Sequence, residues 1–238
     1  MTAKTLTIGI LETGRPPEAL AAAHGDYPAM VARWLAPLEA GFRSHAVLDN
    51  AFPDSPDECD LWVITGSRFA VYEDHPWIAP LEDFVRACRE AGTRMIGICF
   101  GHQIIAQALG GRVAKSDKGW GLGVHDYEPC DWPEALGPAP GRISLQAYHQ
   151  DQVEELPEGA RRIARSDFCE NAAVWYPGFA LTVQGHPEFS RAYASALLQS
   201  RRGTGLTPEE ADRGLATMDR SPNPEALAEL IRTSLHRL

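Results

Sequence analysis

Lysine is scarce in this chain, with three residues in 238, at Lys4, Lys115 and Lys118. Basic side chains number 22 against 32 acidic ones, and the net charge of −10 is spread along the sequence. Phosphate backbones are bound by clustered Lys and Arg. The two local basic pairs, Arg161-Arg162 and Arg201-Arg202, read as solvated surface, so nucleic acid is not an expected partner. No apolar run approaches the roughly 18 residues a membrane helix needs. The opening MTAKTLTIGI lacks the apolar core and cleavage site of a leader peptide. No membrane association is expected, and the expected location is cytoplasmic. The five cysteines are odd in number and include no CxxC pair, which excludes a disulfide framework or a zinc cluster and fits free thiols in a reducing compartment. Internal repeats, low-complexity tracts and long linkers are also missing.

What is present is an alternation of strand and helix signals. Thr5–Leu11 reads as a strand, followed by a polar Gly/Pro loop over Glu12–Pro17. Helical spacing of Met30, Val31, Trp34 and Leu35 predicts a helix over Pro28–Ala36. Arg43–Leu48 and Leu61–Ile64 read as strands, and the second stops at Thr65-Gly66-Ser67. Pro76–Ala91 predicts a helix ended by Gly92, and Met95–Ile98 the next strand. Parallel strands need crossover helices, so this half predicts a parallel sheet covered on both faces. From Arg112 to Val183 the pattern changes to short β-like pieces at Gly123–Tyr127, Ile143–Tyr148, Arg161–Ala164, Ala172–Trp175 and Phe179–Val183. Helices return over Arg191–Ser200, Pro208–Thr217 and Pro224–Leu235. The expected fold class is three-layer α/β: a mostly parallel central sheet, a small β-rich insertion and C-terminal helices. One domain over 1–238 is expected, with 191–238 a helical extension.

Chemistry concentrates at Cys99. Gly97-Ile98-Cys99-Phe100-Gly101 has the form G-x-C-x-G, a cysteine at the tight turn between a buried strand and a helix. Such a turn pushes the apex side chain out at the carboxyl edge of the sheet, where open α/β sheets carry their ligand crevice. The following helix N-terminus favours thiolate, and the Phe100 N–H points at a carbonyl oxygen under attack. Cys88 lies on an apolar helix face and is expected to be core, as are Cys59, Cys130 and Cys169. A cysteine nucleophile needs a base. His24, His45, His75, His125 and His236 sit in polar surroundings, whereas His186 follows the strand FALTVQ directly. Across the extended X-Pro step, His186 and Glu188 point to one side, so the carboxylate can orient the imidazole. The acid follows the histidine, which departs from the α/β-hydrolase order of nucleophile, acid, histidine.

Gly97-Ile98-Cys99-Phe100-Gly101-His102-Gln103 together with Gln184-Gly185-His186-Pro187-Glu188-Phe189 resembles the class I (triad) glutamine amidotransferase family. The resemblance runs from Leu61 to Phe189 and implies a flavodoxin-like sheet. It implies that Cys99, His186 and Glu188 form the catalytic triad. It further implies an oxyanion hole from Gly66, Ser67 and Phe100, with Gln103, Tyr148, His149 and Gln150 binding substrate. The implied reaction is hydrolysis of a γ-glutamyl amide bond through a γ-glutamyl thioester, with no cofactor or metal. His149 with Asp151 has no third ligand at metal-binding spacing. Gly119–Gly123 neither follows a clear strand nor opens a helix, so a turn region is expected there.

Thr65-Gly66-Ser67-Arg68-Phe69 differs from the Gly-Gly-Pro loop of biosynthetic amidotransferases. The stretches VYEDHPWI and KSDKGWGLG resemble a stand-alone group that includes γ-glutamyl peptidases. Three readings stand open: a stand-alone hydrolase of glutamine or another γ-glutamyl compound, a glutaminase subunit feeding ammonia to a synthetase partner, and a catalytically silent binding module. Arg68, Tyr72, Trp120 and Trp175 are candidates for the leaving-group pocket.

Overall fold

The computed structural model describes residues 5–238. The leader-free reading of the first residues falls in part on 1–4, outside the described residues. The strands are β1 (Thr7–Leu11), β2 (Gly41–His45), β3 (Leu61–Ile64), β4 (Arg94–Ile98), β5 (Arg112–Lys115), β6 (Gly121–Pro129), β7 (Ile143–His149), β8 (Asp151–Glu155), β9 (Arg161–Arg165), β10 (Ala173–Tyr176) and β11 (Ala180–Val183). The helices are α1 (Glu18–His24), α2 (Tyr27–Trp34), α3 (Ile78–Ala91), α4 (Phe100–Ala108), α5 (Arg191–Arg201), α6 (Pro208–Leu215) and α7 (Pro224–Ser234).

Nine strands form one sheet in the order β2-β1-β3-β4-β11-β10-β9-β6-β7. The first five run parallel, and the other four continue the sheet antiparallel. The four inner parallel strands, β1, β3, β4 and β11, are buried on both faces because helices cover both, whereas the edge strand β2 is open to solvent. Ile8, Ile10, Val63 and Ile98 pack with Val31 of α2 and Leu227 of α7. Trp62, Ile64 and Met95 face the other way, onto Leu81 and Val85 of α3 and Ile104 of α4. Gly92 caps α3 in the left-handed conformation, φ 72°. Among the described residues no helix is long and apolar enough to cross a membrane.

The β-rich stretch mostly extends the main sheet; among the described residues only β5 and β8 pair apart, as a two-stranded sheet. Its antiparallel strands curl back on the parallel half, since Gln146 of β7 bridges His186 just beyond β11, with His186 N–H donating to Gln146 O at 2.7 Å. That curl brings the β7–β8 turn opposite Cys99. The sequence shows no sign of α1, which has no fully buried residue and so no apolar stripe to read.

Candidate active site

Four adjacent parallel strands end at one edge of the sheet, and each is followed by a piece of the site. After β4, Cys99 is the apex of the turn into α4, at φ 52° and ψ −101°. This left-handed backbone is costly for a residue with a Cβ. Two glycines make room for it: a Cβ at Gly97 would lie 2.5 Å from Gly101 O, and one at Gly101 would collide with Ile64 O. Cys99 N–H donates to Val183 O at 2.9 Å, which ties the apex to the end of β11.

After β11, the chain turns through His186. Its Nδ1–H donates to Glu188 Oε1 at 2.8 Å, and both side chains are buried. Glu188 Oε2 has no partner among the described residues, so the imidazole is the group that balances this buried carboxylate. Burial disfavours the imidazolium, but Glu188 and then Cys99 outweigh it, and the His186 pKa is pushed up to about 10. The ring stacks on Phe189 at 4.0 Å and 8° between planes. Tyr193 closes edge-on against Phe189 at 4.6 Å, and its hydroxyl lies 3.3 Å from that of Tyr27. This aromatic wall fixes the plane of the imidazole.

After β3, Gly66 passes beside both groups. A Cβ there would lie 2.8 Å from His186 Cε1 and 3.7 Å from Cys99 Cβ. After β1, Thr13 and Gly14 hold that passage in place. The single Thr13 hydroxyl proton lies between two carbonyls, with Oγ1 2.9 Å from Thr65 O and 3.2 Å from Gly66 O, and Ser67 Oγ donates to Thr13 O at 2.7 Å. In a trans peptide the N–H points opposite to the C=O. With both carbonyls turned toward Thr13, the N–H groups of Gly66 and Ser67 are turned away from it. Phe100, buried, is the first residue of α4, where the helix N–H groups have no intrahelical acceptor.

The open face divides into two lobes that share Ser67, Arg68, Phe69, Tyr148 and Arg201. One, of about 410 Å³, contains Cys99 together with all four residues expected to bind substrate, Gln103, Tyr148, His149 and Gln150. Gln103 is held rigidly: its amide donates to Asp151 O at 2.8 Å and to Gln184 Oε1 at 3.1 Å, and its own Oε1 has no hydrogen-bond donor among the described residues. His149 is buried, and burial with the nearby His125 pulls its pKa down to about 3. Its Nδ1–H donates to Asp151 O at 3.2 Å, so it shapes the turn as a neutral ring. Tyr72 O–H reaches Asp151 Oδ1 at 3.1 Å across this lobe. The other lobe, of about 500 Å³, lies on the His186 side and is walled by Tyr27, Phe69, Trp77 and Phe189, with Arg15 at its margin.

Of the leaving-group candidates, Arg68 lines both lobes, and Tyr72 and Trp120 line the Cys99 lobe. Trp175 does not: it is buried in the core with its ring under Arg161 at 5.8 Å. His125 also departs from expectation, packing edge-on against Phe168 at 5.3 Å, with burial lowering its pKa. Cys88, Cys59 and Cys169 are buried as core, whereas Cys130 is half-buried. Thr13, Gly14 and Tyr27 escaped the sequence reading, and Arg201, expected with Arg202 to be solvated surface, instead is half-buried and lines both lobes. The signal for the first two was their place just after a parallel strand's carboxyl end; Arg201 carried none.

A glutamine amidotransferase class-I family model matches residues 50–200. Gamma-glutamyl peptidase 4 of Arabidopsis thaliana is 32% identical over 75% of this chain and 74% of its own length. A glutamine-hydrolyzing GMP synthase subunit of Methanosarcina acetivorans is 42% identical over 43% of this chain and 54% of its own. A glutamine amidotransferase structure from Thermotoga maritima superposes with a TM-score of 0.76 at 21% identity, covering 97% of this chain and 96% of that one. On the family match, which takes in Cys99, His186 and Glu188, the chain belongs to the class I glutamine amidotransferases.

Proposed function

We propose that this chain hydrolyses γ-glutamyl amide bonds through Cys99, His186 and Glu188. The Cys99 sulfur attacks the γ-carbonyl, and the oxyanion is received by N–H groups of the Gly66–Ser67 passage and of Phe100. His186 donates its proton to the leaving amine, while Glu188 keeps the ring oriented and its charged form favoured. Water then resolves the γ-glutamyl thioester with His186 as base. Gln103 Oε1 accepts from the substrate ammonium, and Tyr148, His149 and Gln150 line the pocket of the glutamyl group.

The observation that carries this reading is the meeting of three strand ends: a strained Cys99, the His186–Glu188 pair and Gly66 packed against both. The leaving amine departs on the side of His186, and the lobe there, about 500 Å³, far exceeds the roughly 30 Å³ that a water-sized molecule such as ammonia occupies. This favours a substituted amine as leaving group, so a γ-glutamyl peptide or related amide is the proposed substrate. The test is glutamate release from glutathione and, separately, from glutamine by wild type and Cys99→Ala. Cys99-dependent release with a higher kcat/KM for glutathione supports the reading; release that survives in Cys99→Ala refutes it.

The similarity to a glutamine-hydrolyzing GMP synthase favours a second reading, a glutaminase that feeds a synthetase partner. It predicts turnover of glutamine alone, raised by that partner. Against it, Leu197 and Arg201 of α5 already build the rim of the cleft.

A further inference from the structure

We infer that the lobe beside His186 seats an amine bearing a carboxylate, and that such an amine resolves the Cys99 thioester in place of water, making the protein a γ-glutamyl transferase as well as a hydrolase. The inference rests on the hydrolase reading above.

Two guanidinium groups, of Arg68 and Arg201, stand at the seam of the two lobes. Among the described residues neither has a carboxylate within ion-pair distance, whereas Arg15 at the margin of the same lobe is held by Glu12 and Asp49. Arg68 is kept at the seam by lying over the Phe69 ring at 4.8 Å. Arg201 is half-buried at the end of α5, and its carbonyl accepts the N–H groups of Thr204, Gly205 and Leu206 at 3.0–3.1 Å, which pins its backbone. Two guanidinium groups at one seam, neither ion-paired to a carboxylate among the described residues, form a receptor for a carboxylate in a chain of net charge −10. Aromatic walls beside them suit an organic body and displace water.

The chemistry follows from reversal of the first step. An amine that occupies the position just vacated by the leaving amine attacks the thioester carbonyl. The N–C bond forms and the C–S bond breaks. The proton leaves the amine nitrogen for His186 Nε2 and stays there beside Glu188, while the Cys99 sulfur departs with the C–S bonding pair, restoring the starting state. No oxidant or co-reactant is needed. Both the departing and the arriving amine use one seat, so the arginines select both.

The test uses the full chain with γ-glutamyl-p-nitroanilide as donor and, as acceptors, glycylglycine and its neutral counterpart glycylglycinamide. Release of p-nitroaniline reports thioester formation, and mass spectrometry divides the product between glutamate and γ-glutamyl acceptor. The expected result is a saturable γ-glutamylglycylglycine product, formed at about tenfold lower acceptor concentration than the amide requires. Arg201→Gln and, separately, Arg68→Gln narrow that difference. Glutamate as sole product at every acceptor concentration, or equal diversion by both acceptors, overturns the inference. Failure of Cys99-dependent p-nitroaniline release in the absence of acceptor, with glutathione also inert, instead overturns the hydrolase reading beneath it.

Discussion

His186 and Glu188 are two residues apart, and their side chains meet at 2.8 Å on the same side of a turn beyond β11, closed by Phe189 N–H donating to His186 O at 3.4 Å. The pair is buried, and its charge has a direction. Burial opposes the protonated ring, and Glu188 favours it strongly enough to prevail. Glu188→Gln keeps the shape and removes the charge. It is expected to lower kcat by about 10²–10⁴-fold and to bring the His186 titration, read from imidazole NMR, down from about 10. An unchanged titration would mean that the carboxylate does not set the state of the ring.

Gly66→Ala places a methyl group 2.8 Å from His186 Cε1. One ring, and not the fold, has to give way. Activity is expected to fall by about 100-fold or more while the thermal midpoint moves by only a few degrees. Near wild-type activity would show that the loop does not sit against the imidazole.

Thr13→Val preserves volume and removes the hydroxyl that turns two carbonyls of the Gly66 passage. The expected cost is about 1–3 kcal/mol of stability, from Thr65 O left unpaired while Gly66 O keeps Thr65 Oγ1 as donor, and about a tenfold to 100-fold loss in kcat with little change in KM. A change in KM alone would place Thr13 in substrate binding.

Much of this site was open to reading from sequence because its parts are local. The Cys99 turn needs glycine on both sides within five residues, and the His186–Glu188 pair needs one extended step. Strands such as Leu61–Ile64 are short apolar runs and are found where expected. What escaped depends on contacts distant in sequence. Thr13 meets Thr65 across 52 residues; its place just after β1 marks it as near the strand ends but does not name Thr65 as its partner. Arg201 reaches the cleft only because α5 docks there through Leu197 and Leu198. Trp175 reads as a pocket residue by type, yet the pairing of β10 between β9 and β11 sends it to the core. The β-rich stretch reads as an insertion because short alternating strands do not reveal which edge they extend.

Stability is expected to fall in acid for an identifiable reason. His102 and His149 are buried, and burial pulls both down to about 3. The unfolded chain binds protons at both near pH 6.5, and the folded chain does not. Their contribution is therefore full above about pH 6.5 and is lost as pH falls toward 3. Two such groups give a slope of about 2–3 kcal/mol per pH unit near pH 5. Urea unfolding across pH 4–7 measures it, and His102→Asn is expected to halve the slope. His186 acts oppositely: its raised value contributes stability that is full below about pH 6.5 and lost as pH rises through about 10.

The central claim is that Cys99 carries the γ-glutamyl group as a thioester. The direct measurement is rapid acid quenching of protein mixed with a γ-glutamyl donor, followed by mass spectrometry of its peptides. The account predicts a γ-glutamyl adduct on the peptide containing Cys99, accumulating in Glu188→Gln and absent from Cys99→Ala. An adduct on another cysteine, or glutamate release with Cys99 removed, would contradict it.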